Sequence, residues 1–471
     1  MDDEPNNVNS NWKSLFLGEL LLPSIIINFG ILLYAINTFI IMTIMPTVVE
    51  DIGGTELYAW PIMIFTVGGI VGAASAEPIR VKFGQRDGFI LAGITFLIGN
   101  LGAAFAPNME TLIFWRLIQG LGGGLIISQS FGVVGTIYPS NLRTRILSVI
   151  STTWGLATVV GPAFGGIFAE AGSWRFAFLV LVPITLIFCI LVWYYIENIG
   201  KGDKVEKFPI TRLSLFAFGI LSIGLTSQTN VNGYRFILIF ASIAMISFAL
   251  RRDAFSTNRM FPKKTLIPNT AIGSSYWFAI LFTCTFIFAL MYSTLYLQML
   301  HQQTPLNAAY ISAALSFAWT ITAIASASLE GFRTKIAIIL GGILMVLGAI
   351  GLSIFAVNGP IILIIFSFGL IGSGIGISNI HVMALSMDCA EEGEGTLVAS
   401  SIQTIRNMGL AFGSALVGLI ANMAGLTEGA SVVTVSRAVD FINIATIVVA
   451  ALTVASLFVF IICYEKETGN H

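Results

Sequence analysis

Residues 83–96 read FGQRDGFILAGITF, and residues 332–345 read FRTKIAIILGGILM. The two segments align at an offset of 249 residues, which also places Gly120 on Gly369. A further match around Gly161 gives an offset of 252. Self-similarity at a fixed, long spacing indicates an internal duplication. The sequence therefore predicts two related halves.

The composition places these halves in a membrane. Of the 471 residues, 56% are hydrophobic and 10% are charged, whereas about a quarter of a soluble domain is charged. The net charge of −1 argues against nucleic acid as a partner, because binding it requires a basic face. The four cysteines are dispersed without a CxxC spacing. We therefore expect no disulfide framework, no metal site and no cofactor.

Apolar stretches of the length needed to cross a bilayer recur along the whole chain. A hydrocarbon core about 30 Å thick requires roughly 20 residues of helix. We count fourteen candidate spans, of which the seventh and eighth are the shortest, and residues 11–22 form a candidate interfacial helix before the first. The spans lie at 23–45, 57–77, 87–106, 111–138, 143–171, 174–196, 209–228, 234–250, 270–300, 306–329, 335–357, 360–387, 396–425 and 438–464.

The basic residues orient these spans. With a cytoplasmic N-terminus, 18 of the 23 Lys and Arg residues fall on the cytoplasmic side, three fall outside and two fall within spans. This asymmetry follows the positive-inside rule. The rule alone accepts twelve or fourteen spans, because removing both short spans preserves the asymmetry. The duplication favours fourteen, since a six-helix half takes about 200 residues and leaves about 50 for two linker helices.

The predicted fold is an all-α polytopic membrane protein with two pseudo-symmetric six-helix bundles and two linker transmembrane helices. We expect a monomer in the cell membrane, as in the inner membrane of a bacterium, with both termini in the cytoplasm. The predicted domains are a cytoplasmic N-terminus (1–22), an N-terminal bundle (23–200), a linker with spans seven and eight (201–264), a C-terminal bundle (265–464) and a cytoplasmic tail (465–471).

Several motifs resemble those of the major facilitator superfamily. Residues 116–120, Arg-Leu-Ile-Gln-Gly, resemble that family's fourth-helix RxxQG motif, and the run from Gly155 to Gly166 resembles its fifth-helix antiporter motif. Residues 174–183 are similar to the WRWxF…NxP segment of the fourteen-span drug:proton antiporters, and residues 36–46 occupy the place of that group's first-helix motif. The resemblance implies the major facilitator fold and a secondary transporter with a cavity between its bundles.

The chain departs from that group at positions tied to coupling and gating. Asn37 replaces the first-helix acid, and Leu181 replaces the sixth-helix Asn. In the loop motif after the second span, Glu77 and Val81 replace a Gly and an Asp. A titratable carboxylate deep within a span is not evident, so proton coupling is implied by the resemblance and not by a located site.

Two arginines lie within predicted spans, where a charge is costly and marks a functional candidate. We predict that Arg406, near the midplane, binds an anionic or carbonyl group of the cargo. Arg116 is predicted to tune a proton site. The alternative for each is a structural role, in which the guanidinium ties neighbouring helices through hydrogen bonds to carbonyl groups.

The resemblance implies that spans 1, 2, 4, 5, 9, 10, 12 and 13 line the cavity. Aromatic rings beside a guanidinium suit a planar, amphipathic cargo, and the alternative for each ring is ordinary packing or an interfacial position. At the offset of 252, Trp154 corresponds to Arg406, so the two are expected to face each other across the pseudo-twofold axis. The predicted cavity residues are Asn37, Trp60, Gln119, Gln129, Trp154, Trp277, Tyr292, Trp319, Asn379, Gln403, Arg406 and Asn407.

A second set is predicted to serve coupling and gating. His381 and Glu77 are candidates for proton coupling, with a structural histidine as the alternative for His381. The glycines and the proline of the fifth span allow it to kink and approach the other half, a contact that would seal one path in alternating access. The set comprises Arg116, Glu77, Arg86, His381, Gly155, Gly161, Pro162, Gly165 and Gly166.

Together these features predict a secondary active transporter of a small amphipathic organic molecule, acting as a drug or metabolite exporter with protons as the candidate coupling ion. The alternative is an uncoupled carrier of one specific, anionic solute. No enzyme is predicted, because a membrane enzyme needs clustered catalytic groups and the chain has only three histidines. A sensor derived from a carrier is a further alternative.

Overall fold

The computed structural model describes residues 18–138, 140–199, 209–226, 228, 232–256, 259–262, 265, 267–329, 331–390 and 395–469. This part of the chain is α-helical and contains no strand. Its helices are α1 (Leu21–Ile52), α2 (Trp60–Phe83), α3 (Gln85–Ala104), α4 (Met109–Ile137), α5 (Ser140–Glu170), α6 (Arg175–Leu179), α7 (Leu181–Tyr195), α8 (Ile210–Thr226), α9 (Asn232–Ala254), α10 (Ala271–Leu290), α11 (Ser293–Met299), α12 (Pro305–Ser326), α13 (Phe332–Phe355), α14 (Ile361–Asp388), α15 (Gly395–Met423) and α16 (Val432–Thr468).

The prediction of an all-α polytopic membrane protein is confirmed. Twelve helical segments of the described chain are long and apolar enough to cross a membrane. The pairs α6–α7 and α10–α11 each form one such segment, broken at Val180 and at Met291–Tyr292. The shorter α8 has 17 residues, and α5, with 31 residues around Pro162, is not among the twelve. The count of fourteen spans therefore stays a prediction.

Successive spans run in opposite directions, so the bundle has two faces. We call the face at which α1 begins and α16 ends the terminus face, and the other the opposite face.

The predicted interfacial helix at residues 11–22 falls mostly outside the described residues, and Gly18–Leu20 form a 3₁₀ turn that leads directly into α1.

Glycines bring two helix pairs into backbone contact, and the two pairs repeat each other. A Cβ added to Gly120 on α4 would lie 2.1 Å from the carbonyl oxygen of Phe65 on α2. The counterpart is Gly372 on α14, whose added Cβ would lie 1.9 Å from the carbonyl oxygen of Leu315 on α12. Only glycine permits this approach. The structure thus confirms the duplication and corrects its register: Gly120 pairs with Gly372, at an offset of 252, and not with Gly369.

The seven helices before α8 pack mainly on one another, as do the seven after α9, and two contact zones join the halves. In these zones α2 packs on α15 and α5 packs on α12. The helix α8 packs on α9 and also contacts both α2 and α15. Large apolar side chains such as Phe236 and Phe240 on α9 and Ile190 on α7 are exposed, as expected of surfaces that face lipid.

Candidate transport pathway

Arg116 on α4 is the centre of a buried polar cluster. Its Nε donates to the carbonyl oxygen of Pro61 at 3.1 Å, and its Nη1 donates to Gln119 Oε1 at 2.8 Å and to Asn37 Oδ1. The Oδ1 of Asn100 on α3 accepts from Asn37 at 3.2 Å and from Gln119 at 3.0 Å. All four side chains of the cluster are 0% exposed. The cluster therefore ties α1, α2, α3 and α4 together.

The hydrogen-bond partners of Arg116 are neutral oxygens, so its positive charge is not paired with a carboxylate in the cluster. Among the described residues the one buried carboxylate is Asp253, which lies on the linker helix α9. This geometry matches the structural alternative, in which the guanidinium ties neighbouring helices through hydrogen bonds. A role of Arg116 in proton coupling stays a prediction.

Aromatic side chains connect this cluster to α5. The guanidinium carbon of Arg116 lies 4.1 Å from the ring centroid of Phe65. The Phe65 ring is 5.3 Å from that of Tyr34, and Tyr34 makes an edge contact with Trp154 at 6.1 Å. Trp154 is partly exposed, so this aromatic path leads from the buried charge to a surface of α5.

Arg406 lies eleven residues into the 29-residue helix α15, near its midpoint. Its Nη2 donates to Asn379 Oδ1 on α14, and its guanidinium carbon lies 5.5 Å from the ring centroid of Phe282 on α10. The Nε of Arg406 is buried and has no hydrogen-bond partner. Trp319 on α12 contacts Phe282 edge-on, with the ring centroids 5.9 Å apart. Unlike Arg116, this guanidinium therefore keeps an unsatisfied donor.

The surroundings of Trp154 and Arg406 are related by the same duplication. Trp154 contacts Tyr34 on α1, whose counterpart at the offset of 252 is Phe286 on α10. Arg406 contacts Phe282, which lies one helical turn from Phe286. Each of the two residues thus stands beside an aromatic ring on the first helix of its own half. That the two residues face each other across the pseudo-twofold axis stays a prediction.

Several contacts join the halves at the opposite face. The rings of Tyr58 and Tyr292 stack with centroids 4.6 Å apart. Thr294 Oγ1 donates to the carbonyl oxygen of Met42 at 2.7 Å, and Asn422 Nδ2 donates to that of Glu56 at 2.8 Å. These contacts bring α1 and the loop after it against α10, α11 and α15.

The predicted glycines of α5 divide between two neighbouring helices. Added Cβ atoms at Gly155 and Gly166 would lie 3.1 Å from Thr320 and 2.7 Å from Leu306, both on α12 of the other half. Those of Gly161 and Gly165 would instead meet Phe39 and Thr43 on α1, at 2.5 Å and 2.8 Å. Pro162 lines a cavity of about 30 Å³ between the halves, together with Thr294 and Ser312. The close approach of α5 and α12 thus extends from mid-helix to the opposite face.

The remaining predicted cavity residues do not form one group. Gln129 is buried, and neither polar atom of its amide has a partner; the indole nitrogen of Trp60 also lacks one. Trp277 is 37% exposed and lies about 140° around α10 from Phe282. Asn407 lies next to Arg406 on α15, partly buried. Gln403 is on the same helix, with its side chain outside the described part of the structure.

Of the predicted coupling residues, Glu77 and Arg86 are held within the N-terminal half. Glu77 is exposed and pairs with Arg80 on its own helix. Arg86 pairs with Asp87 at 3.0 Å, and its guanidinium lies 4.5 Å from the ring of Trp193 on α7. His381 is buried near the terminus end of α14, and its Nε2 has no partner. The structure brings none of these three together with Arg116.

Sequence reasoning missed several residues of the pathway. Asn100 is a single amide in an apolar span, and Tyr58 lies in a loop. Asp51 was also missed: its carboxylate accepts from Trp174 Nε1 at 3.0 Å and from Arg175. The pair Trp174-Arg175 could have indicated such a contact, because a charged arginine at the start of a helix needs a hydrogen-bond acceptor nearby. This contact ties the end of α1 to the start of α6.

The sequence model of the Major Facilitator Superfamily matches residues 27–414. This chain belongs to the Major Facilitator Superfamily. It is 30% identical over 438 residues to a probable multidrug-efflux transporter of Mycobacterium tuberculosis, covering 89% of this chain and 92% of the relative. The predicted family is thereby confirmed, and this major facilitator is a multi-pass membrane transporter with relatives named for drug efflux.

Solved structures of the superfamily share its fold. A D-xylose–proton symporter superimposes with a TM-score of 0.63 at 15% identity, covering 91% of this chain and 97% of that one. A bacterial homologue of the human lysosomal transporter Spinster, in an inward-facing and occupied conformation, gives a TM-score of 0.64 at 12% identity, covering 94% and 97%. At these identities the likeness shows the fold alone.

Proposed function

We propose that this major facilitator exports a small amphipathic organic molecule by alternating access, and that the cargo binds between residues 23–200 and 265–464. The observation that carries the proposal is the environment of Arg406. Its charge lies near the midplane with a neutral amide and an aromatic ring as neighbours, and its Nε is unsatisfied. An unsatisfied buried donor costs about 1–3 kcal/mol, which a carbonyl or anionic group of the cargo would offset.

The contacts between the halves support a state that opens toward the terminus face. The tyrosine stack and the bonds of Thr294 and Asn422 all lie at the opposite face. From there the close approach of α5 and α12 reaches Gly155, which lies at mid-helix. We propose that the termini are cytoplasmic, in the inner membrane of a bacterium, so this state faces inward and is ready to load cargo for export.

The proposed cargo class follows from the side chains around the unsatisfied donor. Phe282 and Trp319 offer faces and edges for stacking, and the guanidinium of Arg406 offers charge-assisted hydrogen bonds. A relative named as a probable multidrug-efflux transporter and one named as a multidrug transporter support export of such molecules. We further propose a monomer driven by a proton gradient.

The experiment is a binding and transport assay with purified protein in proteoliposomes, using a panel of aromatic carboxylates and matched neutral amides. Loss of a charge-assisted hydrogen bond costs about 1.5–3 kcal/mol, so Arg406→Gln should weaken binding of the carboxylates by roughly 10- to 150-fold. Arg437→Gln, at an exposed position on α16, is the matched control. Unchanged carboxylate affinity in Arg406→Gln would remove the cargo role of this residue.

Coupling is tested in the same vesicles. A proton-driven exporter accumulates cargo when a pH gradient is imposed, and cargo addition changes the internal pH. An uncoupled carrier of one anionic solute, the alternative from the sequence, only equilibrates its cargo. Equilibration without any pH change would replace the exporter with that carrier.

A further inference from the structure

A basic groove lies on the linker helices, apart from the transport pathway. It is an open groove of about 440 Å³, formed where α8 begins and α9 ends, and therefore at the terminus face. Its lining combines three arginines with two phenylalanines and a serine: Arg212, Arg251, Arg252, Phe248, Phe255 and Ser256.

One of the three arginines is neutralised within the protein. Arg212 is buried and pairs with Asp253 across the two linker helices. The Asp253 carboxylate also accepts the backbone N–H of Met260, at 2.9 and 3.1 Å, and that of Phe261, at 3.0 Å. The Asp253 carboxylate thus balances the charge of Arg212 beneath the groove, and neither Arg251 nor Arg252 is among its hydrogen-bond partners.

The other two arginines leave the groove positively charged. Arg251 and Arg252 are exposed in the last turn of α9, and no ion pair holds either of them within the described part of the chain. Guanidinium groups bind phosphate oxygens through paired N–H donors, more specifically than ammonium groups do. The groove is therefore suited to bind an anionic ligand with phosphate-like oxygens.

The membrane position of α9 identifies the rest of the ligand. Its apolar segment, Gly233–Ala254, ends at these arginines, which places them at the boundary between hydrocarbon and water. Phe248 and Phe255 are 54% and 83% exposed beside them. The guanidinium groups thus face the headgroup region of the membrane. The exposed aromatic rings lie at the depth where the acyl chains of the lipids begin. Basic pockets at this depth suit anionic headgroups.

We infer that the α8–α9 groove binds the phosphate headgroup of an anionic membrane phospholipid through Arg251 and Arg252. The inference does not depend on which cargo the transporter carries. It gives the linker helices α8 and α9 a role in binding lipid. The two six-helix bundles do not need these helices to form a cavity.

The test is native mass spectrometry of the full-length protein released from nanodiscs of phosphatidylglycerol and phosphatidylcholine. Each basic residue near a membrane surface contributes about fivefold in affinity for anionic lipid, so Arg251→Gln/Arg252→Gln should bind phosphatidylglycerol roughly 25-fold more weakly. The control is Arg333→Gln/Lys466→Gln, which removes two exposed charges from the same face outside the groove. Size-exclusion elution of both variants in phosphatidylcholine verifies that they are folded.

The outcomes separate the sources of the phosphate. Retained phosphatidylglycerol binding in the groove variant overturns the inference, and so does an equal loss in the control, which would indicate general surface attraction. Inorganic phosphate is tested as competitor: displacement of the lipid at millimolar phosphate would assign the groove to a soluble anion instead. Equal binding of phosphatidylcholine would also overturn it.

Discussion

Tyr58, in the loop between α1 and α2, stacks on Tyr292 at the break between α10 and α11, with ring centroids 4.6 Å apart. Both rings are buried, and one belongs to each half. Because α10 and α11 part at this tyrosine, the stack sits at the break within this membrane-spanning segment. The pair joins the two halves at the opposite face, and we propose that it closes the pathway there.

Replacing one ring of this stack should open that face. An aromatic pair contributes about 0.5–1.5 kcal/mol beyond its buried area, so Tyr58→Ala should raise the population of the outward-open state by between about twofold and tenfold. The measurement is labelling of Ser312→Cys, in the cavity behind the stack, by an impermeant maleimide applied to the opposite face of a protein whose native cysteines are replaced by alanine. Tyr310→Ala, at an exposed tyrosine of α12, is the control. Equal labelling of the two variants would contradict a gate at Tyr58.

A side chain added at Gly166, where α5 packs on α12, should also open the opposite face. Its added Cβ would lie 2.7 Å from Leu306 Cα, so valine forces α5 away from α12. Overpacking of this kind costs about 1–3 kcal/mol. We expect Gly166→Val to increase labelling from the opposite face by at least about fivefold and to slow cargo exchange. Gly132→Val, on α4 where an added Cβ meets nothing within 4 Å, should leave both unchanged.

The Arg116 cluster should act mainly on stability. Arg116→Leu leaves the oxygens of Asn37, Gln119 and Pro61 without their donor, at a cost of about 3 kcal/mol. For a half of this size we expect Tm to fall by roughly 6–12 °C. The assay is thermal unfolding in detergent, with Arg437→Leu as a surface control. A variant with unchanged Tm that loses only proton-driven transport would instead support the coupling role predicted for Arg116 from the sequence.

His381→Gln should retain transport and its pH response. His381 and Asn379 are two residues apart on α14 and therefore point about 200° apart, so the imidazole faces away from the Arg406 side, toward Ser326 at the end of α12. Cargo-driven pH change in proteoliposomes is the readout. If that change disappears while cargo exchange persists, His381 is the coupling group.

Much of the fold could be predicted because it depends on local composition. Apolar length and the repeat predicted the helices, and the motifs at residues 116–120, 155–166 and 174–183 together predicted the family. The break at Met291–Tyr292 was not predicted, because the apolar run from 270 to 300 is continuous across it. The register of the halves was off by three residues at Gly120, since it depends on which carbonyl a glycine approaches, and local similarity does not encode that.

The site was predicted less well than the fold. Arg116 and Arg406 were both recognisable as charges within spans, but the sequence does not distinguish a saturated guanidinium from an unsatisfied one. That difference depends on Asn100 and Asn379, amides on other helices whose orientation follows from packing. Trp277 was placed in the cavity by residue type alone, and the helical rotation puts it about 140° from Phe282, the ring beside Arg406.

The helix α8 contacts α2 of one half and α15 of the other, with Gly224 packed against Met63 of α2. If the halves tilt apart in the proposed alternating access, one of these surfaces must slide along α8, and α9 must then move through the surrounding acyl chains with it. Turnover should therefore respond to bilayer thickness and viscosity: short-chain and long-chain lipids would give different cycling rates for the same cargo and the same gradient.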